Sequence, residues 1–318
     1  MLTRKAFLRN SVIAAAGLPL FGCGSDETTE APTTAANPEN TMTTNQKVPY
    51  LDTIGLQLWS VRDQMELDPT VTLKTLADIG YRQVELMDSR DAAKLVPIAK
   101  EYGLEVNSSF LNWNTITGGW KYTPDDTPFE FMEAIDQVGT AGIGTLVFGY
   151  LRPEERTTLD DWKKLADKLN EAGRVAKENG IQLAYHNHNF EWDPVEGTTG
   201  WAVLNERMDG ELVPFELDVF WAEIAGENAK ETLTSIKDRV HLLHLKQLNP
   251  KAAKATRLED VDPTAFEELP EGNIPIIDLM RYGKDFGVKY CMVEQDGNYA
   301  GSSLTSVTKS IEFLQSAS

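Results

Sequence analysis

Residues 181–192, with the sequence IQLAYHNHNFEW, hold two of the four histidines of the chain in one short apolar run. In an extended strand alternate side chains share a face, so His186 and His188 point one way while Leu183 and Tyr185 point the other. A histidine at a strand end is often only hydrogen-bonded, so one such residue would indicate little. Two imidazoles that converge on one spot indicate a binding or catalytic site, which the ends of other strands would complete.

Short strand-like runs alternate with helix-like segments on both sides of this stretch, which is the pattern of parallel sheets with crossover helices. The predicted strands are residues 54–60, 83–87, 104–110, 145–150, 182–188, 214–219, 241–247 and 290–294. The clearest helical stripe spans residues 158–179 and is followed by Gly180, a typical helix-ending glycine. An open doubly wound sheet is the alternative, but no glycine-rich phosphate loop follows the first strand. We therefore predict an α/β fold, a (β/α)8 TIM barrel in a single domain.

The beginning of the chain differs in composition from this domain. Residues 1–23 have the layout of an export signal, with basic residues, an apolar run too short for a transmembrane helix, and a small residue before Cys23. The last four of these residues resemble a lipobox, which implies lipidation at Cys23 and a bacterial lipoprotein anchored to the membrane, periplasmic or surface-facing. Residues 24–47 have few large apolar side chains and are predicted to be a disordered linker. Residues 48–318 would form the catalytic barrel.

The charge and cysteine content restrict the partners. The formal net charge is −19, which disfavours nucleic acid and, less strongly, highly phosphorylated ligands. We expect membrane contact only through the lipid anchor. Beyond the signal segment Cys291 is the one cysteine, so an intramolecular disulfide is not expected. The sequence makes no prediction of the oligomeric state.

Ligand-type side chains lie near the carboxyl ends of five of the predicted strands, at the end of a barrel where active sites lie. They are Glu85, His186, His188, Asp218, His244, Lys246 and Glu294. A buried carboxylate needs a partner, so acids and imidazoles at one barrel mouth suggest a bound cation. Oxygen and imidazole ligands suit Mn²⁺, Zn²⁺, Mg²⁺ or Co²⁺, and we expect one such ion as the cofactor.

Six segments carry a family resemblance: QLWSVRD, VELM, YHNHNFEW, ELDVFW, HLLHLKQ and VEQD. In this order they resemble the xylose isomerase-like barrels of the sugar phosphate isomerase and epimerase superfamily, from about residue 52 to the C-terminus. The resemblance to ketose 3-epimerases of that family implies that Asp218, His244 and Glu294 bind the metal. His186 stands where those epimerases have a glutamate, and we expect it to be the fourth ligand, with His188 in reserve.

The resemblance implies a metal-dependent sugar isomerase or epimerase that abstracts a proton next to a carbonyl through a metal-bound enediolate. Glu294 or His186 would remove the proton. A lyase or dehydratase acting on a keto-sugar or 3-keto-glycoside, similar to inosose dehydratases, is the alternative, with Lys246 or His188 protonating the departing oxygen. A non-catalytic sugar-binding lipoprotein is the third hypothesis. In each case the partner is a small carbohydrate or keto-sugar.

Aromatic and polar residues near the strand ends are candidates for substrate contacts, because aromatic rings stack on sugars. The expected contacts are Glu85, Trp59, Trp113, Trp221 and Arg62. Loop packing is an equal alternative for Trp59, Trp113, Trp120 and Trp192. Trp221 stands where the ketose 3-epimerases that the chain resembles have a substrate-binding histidine. For Asp296 and His241 we expect structural roles.

Overall fold

The strands of the barrel are short, with three to six residues each. In a computed structural model, which describes residues 47–117 and 130–317, eight strands form one closed parallel barrel. They are β1 Gly55–Gln57, β2 Gln83–Leu86, β3 Glu105–Phe110, β4 Thr145–Phe148, β5 Gln182–His186, β6 Phe215–Asp218, β7 Val240–Leu245 and β8 Tyr290–Val293. Each strand pairs with the next along the chain, and β8 pairs with β1. The predicted fold is therefore confirmed, with strand ends up to three residues shorter than predicted.

Helices cover the outside of the barrel, as the alternating sequence pattern predicts. The α-helices are α1 Arg62–Leu67, α2 Pro69–Ile79, α3 Ala92–Glu101, α4 Asn114–Thr117, α5 Phe131–Ala141, α6 Leu159–Glu178, α7 Gly200–Arg207, α8 Val219–Ala225, α9 Ala229–Ser235, α10 Ile276–Asp285 and α11 Ser303–Ser316. Short 3₁₀ turns span Leu58–Val61, Ser89–Asp91, Pro153–Glu155, Phe190–Trp192, Leu258–Asp260 and Pro263–Ala265. Among the residues described, no helix has both the length and the apolar character needed to cross a membrane.

The boundaries of α6 show how local sequence sets an element. The Thr158 side chain accepts a hydrogen bond from the Asp161 backbone N–H, and the Asp161 carboxylate accepts one from the Thr158 backbone N–H, which satisfies exposed N–H groups at the helix start. Gly180, with a φ of +76°, turns the chain out of the helix into β5. The predicted helix therefore matches the observed one to within one residue at each end.

Two short antiparallel ribbons extend the loops at the carboxyl end of the strands. Pro194–Val195 pairs with Thr198–Thr199, and Gln247–Leu248 pairs with Phe266–Glu267. The predictions for Cys23, for the linker and for Trp120 fall on residues outside the described ranges, apart from the last linker residue, Lys47.

The barrel interior changes from apolar to polar along the strands. Val147, Ala184 and Leu242 form a small buried apolar cluster. Two residues further along β5 and β7 the same inward faces carry His186 and His244, because side chains alternate along a strand. The fold thus places the two imidazoles together, one layer of side chains above this apolar cluster.

Candidate metal centre and active site

The last four barrel strands bring the four predicted ligands together. His186, Asp218, His244 and Glu294 are all buried, and one nitrogen or oxygen atom from each lies within 4.8 Å of the others. Strand register explains this, because Asp218 lies opposite His244 and the ends of β5 to β8 meet at one mouth. The cluster offers two imidazole nitrogens and two carboxylate oxygens.

The geometry of this cluster fits a divalent cation. His244 Nδ1 lies 2.8 Å from Glu294 Oε2 and 4.0 Å from Asp218 Oδ2, and His186 Nε2 lies 3.8 Å from the same Asp218 oxygen. Asp218 Oδ2 is buried and accepts no well-directed hydrogen bond from the described residues. Two nitrogen and two oxygen donors suit Zn²⁺, Mn²⁺ and Co²⁺, and the carboxylates also suit Mg²⁺. This buried cluster therefore suits a divalent metal ion.

A buried lysine neutralises the carboxylates beside the cluster. Lys246 Nζ lies 3.0 Å from Asp218 Oδ2 and 2.8 Å from both Glu294 Oε2 and Asp296 Oδ2. Burial lowers the pKa of Lys246, but the three carboxylates outweigh burial and hold that pKa well above its usual value. Burial likewise raises the pKa of Glu294, whereas Lys246 and His244 outweigh it and lower the net pKa. Lys246 is therefore an ammonium and Glu294 a carboxylate at neutral pH.

Asp296 belongs to this group, in contrast to the structural role expected from the sequence. Its carboxylate contacts Lys246, and the residue lines a cavity that lies over the cluster. Burial raises the pKa of Asp296 to about 6, against the opposing effect of Lys246. Its position two residues after Glu294 was the available signal, because side chains two apart in extended backbone share a face.

Behind the two imidazoles lies a second layer of carboxylates. Glu216 Oε2 accepts a hydrogen bond from His186 Nδ1 at 3.1 Å, and Glu216 Oε1 lies 3.3 Å from His244 Nε2. Glu85 Oε1 lies 2.8 Å from His244 Nε2 and accepts a second hydrogen bond from Gln57 Nε2. We expected Glu85 to contact substrate, but it supports His244 and does not line the cavity. The sequence reasoning missed Glu216, although it lies two residues before Asp218 on the same face of β6.

This cavity lies directly over the cluster and has a volume of about 540 Å³. This volume lies within the usual range for small-molecule sites. Its lining includes seven predicted residues: Trp59, Trp113, His186, His188, Trp221, Lys246 and Glu294. The Nε1 atoms of Trp113 and Trp221 are buried and have no hydrogen-bond partner in the described part of the chain. The rings of these two tryptophans line the cavity and can pack against a bound sugar.

His188 differs from His186 in its surroundings. The His188 ring stacks on Phe190, with ring centres 5.2 Å apart, and its Nδ1 has no hydrogen-bond partner among the described residues. Its backbone N–H donates to buried Glu191, which fixes the loop after β5. Burial, assisted by the positive charge of Lys246, lowers the pKa of His188 to about 3. His188 is therefore a neutral imidazole with a free nitrogen, whereas His186 has both ring nitrogens directed at carboxylates.

Three other residues of interest lie away from the cavity. Arg62 donates to the Trp59 and Asp296 carbonyls and to the Tyr299 hydroxyl, so it ties together the loops after β1 and β8. This position differs from the substrate contact expected for Arg62. Trp192 stacks on Trp201 with ring centres 4.6 Å apart, and His241 lies at the opposite end of the barrel near Thr145.

Curated proteins similar to this chain include inosose dehydratases from several bacteria. Inosose dehydratase from Clostridium perfringens is 31% identical over 146 residues, which cover 43% of this chain and 48% of that protein. The chain thus spans about half the length of this curated relative. Inosose dehydratase from Mesomycoplasma hyopneumoniae is 24% identical over 81% of this chain and 93% of its own length.

Solved structures share the same barrel. A sugar phosphate isomerase/epimerase from Parabacteroides distasonis superposes with a TM-score of 0.67 at 23% identity, covering 84% of this chain and 94% of that one. The IolI protein, whose structure contains a bound zinc atom, superposes with a TM-score of 0.61 at 13% identity, covering 83% and 97% of the two chains. At these identities the structural likeness shows the fold alone.

The description of the matching family agrees with the closed barrel seen in the structure. The family model of the xylose isomerase-like TIM barrel matches residues 73–317, which is most of the chain. The chain belongs to the xylose isomerase-like TIM barrel family.

Proposed function

We propose that this protein is a lyase that removes a proton beside the carbonyl of a keto-sugar and expels an oxygen substituent from the neighbouring carbon. The observation that carries this proposal is the unequal pair of groups on the cavity wall. His188 presents a free neutral imidazole, and Lys246 presents an ammonium held by three carboxylates. His188 is unprotonated and can accept a proton, whereas Lys246 is protonated and can donate one.

His186, Asp218, His244 and Glu294 would hold the divalent ion. When bound, such an ion polarises a carbonyl and makes the adjacent C–H bond more acidic. His186 then has no free ring nitrogen, because Nδ1 donates to Glu216 and Nε2 faces Asp218. This argues for His188, and against His186, as the proton acceptor.

The proton and electron balance of the proposed elimination is simple. His188 accepts the proton from carbon, the electron pair of the C–H bond forms a C=C bond, and the C–O bond on the next carbon breaks. Lys246 donates a proton to the leaving oxygen, so the products are an unsaturated ketone and water or an alcohol. The rings of Trp113 and Trp221, which line the cavity, would pack against the sugar.

Several features support a neutral keto-sugar as the substrate class. The relatives named inosose dehydratases favour a cyclic polyhydroxy ketone. The cavity volume of about 540 Å³ also leaves room for a keto-glycoside. Acidic side chains around the site and a net charge of −19 disfavour phosphorylated substrates.

Sugar epimerisation or isomerisation is the second candidate function. It is favoured by the fact that Glu294 as well as His188 lines the cavity, so two proton-accepting groups face one bound substrate. Both functions share the first step, removal of a carbon-bound proton.

The test is proton NMR in D₂O of metal-supplemented protein with an inosose, a 3-keto-glucoside and a sugar phosphate. The lyase proposal predicts loss of the C–H signal beside the carbonyl together with an ultraviolet-absorbing unsaturated ketone. Deuterium incorporation with a new sugar and no unsaturated ketone would favour the epimerase instead. Binding of a neutral sugar with no exchange in any member of the panel would contradict both and indicate a sugar-binding protein.

A further inference from the structure

Glu216 is a buried carboxylate that contacts both imidazoles of the proposed metal centre. It is fully buried, and none of the described lysines or arginines forms an ion pair with it. Its Oε2 accepts from His186 Nδ1 at 3.1 Å, and its Oε1 lies 3.3 Å from His244 Nε2. The position follows from register, because Glu216 lies opposite His186 on β5 and opposite Leu242 on β7.

Glu216 contacts the imidazole nitrogens of His186 and His244 that face away from the proposed ion. His186 Nδ1 faces Glu216, and the other nitrogen of that ring faces Asp218. His244 Nε2 faces Glu85 and Glu216, while its Nδ1 faces Glu294. An imidazole that donates one N–H to a carboxylate keeps the lone pair of its other nitrogen for a metal.

We propose that Glu216 is a positioning residue for the metal centre: it fixes His186 in the tautomer whose Nε2 can bind the cation and, together with Glu85, does the same for His244 Nδ1. The inference rests on the proposed function, because it concerns the same metal centre. Glu216 has the greater effect on His186, whose Nδ1 has no other carboxylate partner in the described part of the chain. His244 retains Glu85 when Glu216 is changed.

The test compares Glu216→Gln with Glu191→Gln in the full chain. Glu191 is an equally buried carboxylate at the same end of the barrel, but its partners are the Tyr185 hydroxyl and the His188 backbone. Chelator-stripped proteins are titrated calorimetrically with Mn²⁺ and with Zn²⁺, and circular dichroism verifies folding. We expect Glu216→Gln to lose affinity by about 10- to 100-fold and the control to stay within about threefold. An unchanged affinity in Glu216→Gln, or an equal loss in both variants, would overturn the inference.

A second readout separates positioning from the existence of the metal centre. Nitrogen NMR of the imidazoles reports which ring nitrogen carries the proton, and the chain has only four histidines to assign. We expect His186 to be protonated at Nδ1 in the wild type and to lose that single tautomer in Glu216→Gln. If the wild type binds neither metal, the proposed function fails while this measurement still decides the role of Glu216. The same tautomer in both proteins would contradict that role, and Glu216→Asp provides a folded alternative if the glutamine variant is unstable.

Discussion

Lys246 is the residue on which the proposed chemistry depends most. Its ammonium contacts two of the four proposed ligands and lines the cavity, so it lies between the metal centre and the substrate. The position of Lys246 fits either a structural cation or a proton donor. Removing its charge has different effects on metal binding and on turnover in the two cases.

Replacing Lys246 by methionine keeps the volume of the side chain and removes its charge. We expect metal binding to persist, because Asp218 and Glu294 lose a competing ammonium, while turnover falls by about 10²- to 10⁴-fold. Metal content and steady-state rates measure the two effects, and Lys289→Met, at the opposite end of the barrel, is the matched control. Turnover within tenfold of the wild type would show that Lys246 does not donate the proton.

His241 gives a pH dependence that is independent of the metal centre. Burial, assisted by nearby Lys289, lowers its pKa from 6.5 to about 4, so protonation is unfavourable in the folded state. The stabilising contribution is therefore complete above pH 6.5 and is lost as pH falls towards 4. Relative to His241→Asn, the wild type should lose about 3 kcal/mol of unfolding free energy between pH 7 and pH 4. Guanidinium unfolding at both pH values measures this difference, and a constant difference would contradict the burial argument.

At the scale of elements, the alternation of strand side chains explains why much of the site was predictable. His186 and His244 follow apolar inward-facing residues by two positions, and Asp218 ends its strand beside them. The partners of Glu85, Glu216 and Arg62 were not predictable in this way. Their contacts depend on which neighbouring strand or loop a side chain reaches, and a linear pattern does not contain that information.

Two helical glycines provide a matched test of packing around the barrel. A Cβ atom on Gly173 of α6 would lie 2.7 Å from the Leu212 carbonyl oxygen, whereas one on Gly139 of α5 meets no described atom within 4 Å. Gly173→Ala should therefore destabilise the fold by about 1–3 kcal/mol, because the new methyl group would force α6 or the backbone at Leu212 to shift. Gly139→Ala should stabilise it by about 0.5–1 kcal/mol through helix propensity. Denaturant unfolding compares the two, and equal effects would contradict this packing.

For the whole molecule, alternation of eight strands with helices was sufficient to predict the barrel, because parallel strands need covering helices and eight such units close. The reaction was not predictable to the same degree, since one family scaffold hosts several chemistries. Lipidation at Cys23 and export stay predictions from the amino-terminal pattern. They concern residues outside the described ranges and do not affect the chemistry proposed for the barrel.

The central claim is that His186, Asp218, His244 and Glu294 form one metal centre, and metal analysis by mass spectrometry tests it most directly. After growth with Mn²⁺ or Zn²⁺ and exhaustive dialysis, the wild type is predicted to retain one divalent ion per chain. Asp218→Asn and His244→Asn, each verified as folded, should retain almost none, because each removes a ligand of a four-ligand site. A metal-free wild type, or full metal content in both variants, would contradict the account.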